Sequence, residues 1–180
     1  MQKCSFLDFI PVSYTHLDVY KRQAANTFNC KPEEVFPSST GIIGVPLPAE
    51  KLIAALPAAA ATLGSEIEHF QDVAKAILTT DKVEKTAFAR FKVPVPDGPQ
   101  GASSSNEIRI AALGKGSGMI HPQLVPHATM LVYILTDADV EPALLQDYLN
   151  HAIDVSFNRI SVDGDTSTND TVLLLSLIHI

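Results

Sequence analysis

The hydrophobic period of this chain changes along its length, from helical to alternating and back, and that change limits what it can fold into. Behind Ser65-Glu-Ile-Glu68, which has the Ser-x-x-Glu spacing of a capping box, Ile67, Phe70, Val73, Ala74 and Ile77 recur at helical spacing. This predicts an amphipathic helix over 66–78. Thr86–Val95 then alternates, with Ala89, Phe91, Val93 and Val95 on one side and Arg90 and Lys92 on the other, as a half-buried strand does. Glu107–Leu113 alternates again, after a Gly, Ser and Pro-rich loop over 97–106. Met130–Leu135 is a continuous apolar run suited to a fully buried strand. Glu141–Ser156 returns to helical spacing, with Asp139 placed as its cap. Upstream, the Ala-rich stretch Ala49–Leu63 reads as a helix entered at Pro48, with Pro57 predicted to interrupt or split it. Helical and strand periods in one continuous pattern give an α/β (α+β layered) domain.

Composition narrows the function classes. The net charge is −7, with 46% apolar and 18% charged residues. This balance suits a packed interior and disfavours disorder. The acidic excess argues against nucleic acid and anionic membranes as partners. The two cysteines, Cys4 and Cys30, cannot build a disulfide framework, and no apolar run approaches the ~18 residues of a membrane span. A cytoplasmic protein is the expectation.

The two ends have a different character. Residues 18–23 read Asp-Val-Tyr-Lys-Arg-Gln and residues 175–180 read Leu-Ser-Leu-Ile-His-Ile. One codon choice for the second has a reverse complement that encodes the first, and this DNA resembles a transposon-end adapter used in preparing sequencing libraries. On that reading 1–23 and 175–180 are non-native flanks and 24–174 is the natural insert. Setting aside Lys3, Asp8, Asp18, Lys21 and Arg22 moves the net charge from −7 to −8 and leaves Cys30 as the one cysteine.

Several stretches within 24–174 could carry chemistry. Gly114-Lys-Gly-Ser-Gly118 could cradle an anion through backbone N–H groups, but it lacks the spacing of a nucleotide-binding P-loop. Asp163-Gly-Asp-Thr-Ser-Thr-Asn-Asp170 crowds acids and hydroxyls together. Thr168 and Leu174 stand where a calcium-binding EF-hand needs glycine and a bidentate acid, so Asx and Ser/Thr turns are the better reading. His121 and His127 lack helical metal-ligand spacing, and no metal site is expected. Ser38-Ser-Thr-Gly-Ile-Ile-Gly44 can form a turn or bring backbone N–H groups close to a ligand. Thr129 stands directly before the buried run. It is either an ordinary β-branched strand residue or a nucleophile freed by cleavage of the Ala128–Thr129 bond and activated by its own α-amine.

In combination and in order, Ser39-Thr-Gly-Ile-Ile-Gly44, Thr79-Thr-Asp81, Lys115-Gly-Ser-Gly-Met-Ile120, Ala128-Thr-Met-Leu131, Thr136-Asp-Ala138, Phe157-Asn158 and Val162-Asp-Gly-Asp-Thr-Ser-Thr-Asn-Asp170 resemble the ornithine acetyltransferase (glutamate N-acetyltransferase) family of arginine biosynthesis. The resemblance covers essentially all of 24–174. It implies a self-processing fold with an N-terminal Thr, with 24–128 ending one chain (α) and 129–174 beginning the other (β). Cleavage between Ala128 and Thr129 would leave Thr129 as the nucleophile that carries acetyl from N-acetylornithine to glutamate. Thr40 and Gly41 map to the oxyanion pair, and Thr79, Lys115 and Thr129 to substrate-binding positions. The resemblance further implies no cofactor, acetyl-CoA as a second acetyl donor in some members, and paired αβ heterodimers. A related self-processing peptidase, deacylated by water, and a catalytically inert fragment are the competing readings. Two departures stand out. Gln123–His127 lengthens the link before the scissile bond, and the family's Asp-Gly-Glu-Gly-type motif has no counterpart.

Overall fold

The computed structural model describes residues 14–42, 44–94, 105–122 and 130–177. Two compact units divide at Ser65/Glu66, and each is described by itself.

The first unit pairs two helices, α1 (Tyr14–Phe28) and α2 (Ala49–Ala61), with a 3-10 turn at Pro32–Glu34 between them in sequence. Ala24 and Ala25 are buried on α1. The helix ends where Asn29 takes φ of +54° and the Cys30 N–H returns to the Ala25 carbonyl at 3.0 Å. Asn tolerates this left-handed cap better than most residues. α1 begins at Tyr14 and so runs across position 23/24. α2 is not split by Pro57: the ring removes the N–H that would bond to Ile53, but the surrounding alanines, the best helix formers, carry the helix through. Pro48 is its N-cap and not its first helical residue.

The second unit is a four-stranded sheet of β1 (Lys85–Pro94), β2 (Ser105–Lys115), β3 (Leu131–Thr136) and β4 (Thr171–Ser176), in that spatial order. The first two pairs are antiparallel and β3/β4 is parallel. A parallel neighbour needs a crossover, and α4 (Pro142–Val155) supplies it. The helix α3 (Ile67–Ala76) precedes β1. Register places Ile110, Ala112, Val132, Ile134 and Val172 on one face of the sheet. There Ile120, Met130 and Val132 form a buried cluster, with Ile134, Phe157 and Val172 against it.

Three sequence expectations differ from this structure. The face of β1 that α3 reaches carries Phe88, whose ring lies 5.3 Å from that of Phe70; Phe91 and Val93 point to the other side and stay exposed. β1 is an edge strand whose residues 85–93 are all exposed, Phe88 included, so alternation found the strand but the half-buried face it predicts does not form. The Ser65–Glu68 capping box does not form, because Glu66 is the N-cap of α3 and makes no side-chain cap bond. Likewise Glu141, not Asp139, is the N-cap of α4. β3 is buried at Leu131, Val132 and Thr136 and half-buried between them. No helix among the described residues is long and apolar enough to cross a membrane.

Candidate functional site

The sheet has one end at which several chemically capable side chains converge. The register runs Lys115 on β2 to Leu131 on β3 to Thr171 on β4, so the last residue of β2 lies level with the first residues of β3 and β4. β1 also starts here, with Lys85 opposite Gly114.

The segment between α3 and β1 lies along the end of β2. Lys115 Nζ donates to Thr79 Oγ1 at 3.3 Å, the Gly116 N–H donates to Asp81 Oδ1 at 2.9 Å, and the Thr80 and Ser117 hydroxyls share a hydrogen bond of 2.7 Å. One N–H of the glycine-rich turn, that of Gly116, binds an acid, and that acid is the protein's own Asp81. Lys85 also binds Asp81, whose side chain is fully buried. Burial works against the Asp81 charge, but the Lys85 and Gly116 hydrogen bonds outweigh it and hold the carboxyl below its ordinary value.

Lys115 is 3% exposed. Burial depresses its pKa, and the negative charges of Asp81 and Asp170 oppose that depression. Asp170 stands one residue before β4, and its Oδ1 accepts the N–H of Met130. Desolvation pushes its carboxyl up to about 6, against the Met130 hydrogen bond and the Lys115 charge, which both favour ionisation. A buried ammonium thus stands in the field of two carboxylates, one of which, Asp170, binds the N–H of Met130.

The acidic loop 163–170 shapes this end. Asp163 accepts the N–H groups of Met119 at 2.6 Å, Ile120 at 2.9 Å and Asp165 at 3.2 Å, which lowers its pKa. Asn169 N–H bonds Ser167 Oγ at 3.3 Å. These are the Asx and Ser/Thr turns expected from the residues. The Thr166 hydroxyl and the Val162 N–H bind the carbonyls of His121 and Ile120 at 2.9 and 2.7 Å, locking the loop to the turn after β2.

Gly116 has φ of +148°, and a β-carbon there would stand 2.9 Å from Ile120 Cδ1. Gly116→Ala in the full-length gene product containing this segment is therefore expected to lower stability by about 1–3 kcal/mol in urea unfolding. A change under about 0.5 kcal/mol, the range of an ordinary surface substitution, would show that the turn relaxes freely.

Thr79 and Lys115, two of the positions carried by the family resemblance, are brought together. Thr40 and Gly41 lie in the first unit, in a stretch without regular secondary structure. Thr40 is half-buried, and open space surrounds the position a Gly41 β-carbon would take. Ala128 and Thr129 lie outside the described residues, as do the 97–104 portion of the expected loop, the link 123–127 and His127. No metal-binding cluster of His, Cys, Asp or Glu occurs among the described residues. A shallow groove lined by Phe88, Arg90, Arg109, Leu135 and Asp137 lies toward the opposite end of the sheet. It is bridged by an Arg109–Asp137 ion pair of 3.0 Å and holds none of these groups. Residue types and spacing did not single out Asp81 and Asp170 as partners of Lys115. The available signal was their place inside two of the family-like motifs.

Residues 13–179 match the ArgJ family. The chain is 46% identical over 154 residues to the Arginine biosynthesis bifunctional protein ArgJ, mitochondrial, of Sordaria macrospora, covering 86% of this chain and 31% of that protein. It is 47% identical over 155 residues to the Arginine biosynthesis bifunctional protein ArgJ of Symbiobacterium thermophilum, covering 86% and 35%. The ArgJ of Neisseria gonorrhoeae is 43% identical over 153 residues, covering 85% and 33%. The chain thus spans about a third of the length of the curated relatives it matches. With a family match over nearly its whole length, the chain belongs to the ArgJ family.

Proposed function

We propose that the protein containing this segment transfers the acetyl group of N-acetylornithine to glutamate through an acetyl-Thr129 intermediate, after self-cleavage between Ala128 and Thr129. The observation that carries this reading is the placement of Lys115. Its buried ammonium is held by Thr79 and lies beside Asp170, the residue that grips the amide following Thr129. A cation there can hold the α-carboxylate that both substrates share, next to a hydroxyl nucleophile.

The chemistry follows from these groups. Cleavage frees the Thr129 α-amine, which acts as base for the hydroxyl. The hydroxyl attacks the acetyl carbonyl of N-acetylornithine, the Thr40 hydroxyl and the Gly41 N–H hold the developing oxyanion, and ornithine leaves. Open space beside Gly41 supports its exposure to a substrate oxygen. Glutamate then takes the acetyl group. Acetyl-CoA serves as the alternative acetyl donor, and the transfer as written needs no cofactor. Residues 24–128 would close the α chain and 129–174 open the β chain, paired as αβ heterodimers. Cytoplasmic action is the proposed setting, although the Sordaria relative carries "mitochondrial" in its name.

Incubating the full-length protein with N-acetylornithine and glutamate should yield ornithine and N-acetylglutamate in equal amounts, with the parallel double-reciprocal lines of a ping-pong reaction. Release of acetate with no N-acetylglutamate would instead indicate a hydrolase and sink the transferase reading.

A further inference from the structure

Three consecutive residues between α3 and β1 each bind one of three consecutive residues at the end of β2. Thr79 pairs with Lys115, Thr80 with Ser117 and Asp81 with Gly116. Asp81 reaches further than its two neighbours. Its Oδ1 also receives Lys85, the first residue of β1, which stands opposite Gly114 on β2. One carboxylate oxygen thus ties the start of β1 to the turn that follows Lys115. An ordinary surface ion pair leaves both partners in water. Here the Lys85 side chain is 51% exposed but that of Asp81 is fully buried. Taking the acid out of water costs desolvation, so its place calls for a partner inside the protein.

Lys115 is that partner. Burial depresses the Lys115 pKa, and Asp81 opposes the depression more than Asp170 does. Among the described residues, Asp81 acts on Lys115 from the segment before β1 and Asp170 from the loop before β4. Lys85 of β1 acts in turn on Asp81. The two acids differ in kind. Burial works against the Asp81 charge, yet Lys85 and Gly116 hold the carboxyl below its ordinary value; burial raises Asp170 to about 6. Asp170 therefore loses its charge as pH falls through about 6, while Asp81 keeps its own.

We propose that Asp81 is a positioning residue for substrate binding: it fixes the turn that follows Lys115 and supplies the standing countercharge of that buried ammonium, leaving it able to hold the substrates' α-carboxylate. This rests on the reading of Lys115 as the carboxylate-binding cation. Asp81 acts through Lys115 in two ways, by gripping the Gly116 N–H next to it in the chain and by its charge. Without that charge, less offsets the desolvation of the ammonium, which then gives up its proton at lower pH. A neutral Lys115 cannot hold a carboxylate by charge, so binding should fail first on the alkaline side.

The test uses Asp81→Asn, Asp81→Ala and Lys85→Gln in the full-length protein, with kcat and KM for N-acetylornithine followed between about pH 6 and 10. Asp81→Asn keeps an oxygen for the Gly116 N–H but removes the charge. The basic limb of kcat/KM should move to lower pH by about 1, and KM should rise about tenfold beyond it while kcat stays within about threefold. Asp81→Ala also releases Gly116 and should raise KM about a hundredfold at every pH, the scale of a small misplacement. Lys85→Gln breaks the tie to β1 but removes no negative charge, so the basic limb should stay at or above its wild-type position. A merely structural anchor would respond alike to both changes. A limb unmoved in Asp81→Asn, or lowered equally by Lys85→Gln, overturns the proposal. If Asp81→Ala fails to fold, the limb in Asp81→Asn decides. Wild-type binding in Asp81→Asn together with binding lost in Lys115→Met overturns this inference alone. Wild-type KM in Lys115→Met overturns it together with the reading on which it rests.

Discussion

Thr129→Ala in the full-length protein should give a single uncleaved chain, carry no acetyl adduct after exposure to N-acetylornithine, and transfer acetyl at least about a thousandfold more slowly. The expectation is this large because one side chain is asked to do two things. The Thr129 hydroxyl would first attack the Ala128 carbonyl, and the cleavage it causes would liberate the amine that later serves as its base. Alanine removes the nucleophile and, by preventing cleavage, the base as well. Binding through Lys115 and oxyanion stabilisation would remain, and they can account only for residual turnover. Thr129→Ser keeps the hydroxyl and should keep measurable cleavage and transfer, since loss of the γ-methyl disturbs orientation but not chemistry. Intact-mass spectra and a coupled ornithine assay separate these outcomes. If the alanine variant still splits into two chains, or still acetylates glutamate at a rate near wild type, Thr129 has neither role.

Much of the scaffold under this chemistry was legible in the sequence, because hydrophobic period records the local geometry of the chain, even where, as at Ile67 and Val73, the apolar positions stay exposed. The spacing of Ile67, Phe70, Val73 and Ala74 gave α3, that of Leu145, Leu149 and Ile153 gave α4, and the apolar run 130–135 gave β3 to within a residue. Period failed where a local pattern competes with a distant partner. Phe88 sits among Arg90 and Lys92 in sequence, yet it is the residue that meets Phe70 across α3, while the apolar Phe91 and Val93 face away on an exposed edge strand. Pro57 carries a helix-breaking preference that the alanines around it override. β4 passed unrecognised because Thr171–Ser176 is a short apolar run with no alternation, preceded by a polar loop and lapping onto the suspect end. The site was less legible still. Thr79 and Lys115 stand 36 residues apart, and Asp170 takes its partner from across β3 and β4. No spacing rule links such residues. Only the resemblance put Thr79 and Lys115 in one place, and an acid in a loop of Thr, Ser and Asn reads as solvated until its Met130 contact is seen.

Lys115→Met is the substitution that separates binding from folding at this end of the sheet. The flexible apolar side chain is close in length to the lysine stem and removes the ammonium with little change in packing. If the cation holds the shared α-carboxylate, KM should rise for both N-acetylornithine and glutamate, and kcat/KM should fall about 10²- to 10³-fold. That corresponds to the roughly 3–4 kcal/mol at stake when one partner of a buried charge pair is removed. Stability should change less, because Asp170, whose carboxyl is already raised to about 6, can neutralise by taking a proton once its countercharge is gone, and Asp81 keeps Lys85 and the Gly116 N–H. Lys115→Arg should not rescue binding, since a planar guanidinium does not fit a slot shaped for a compact ammonium. Unchanged KM values in a folded Lys115→Met variant would remove Lys115 from the binding site.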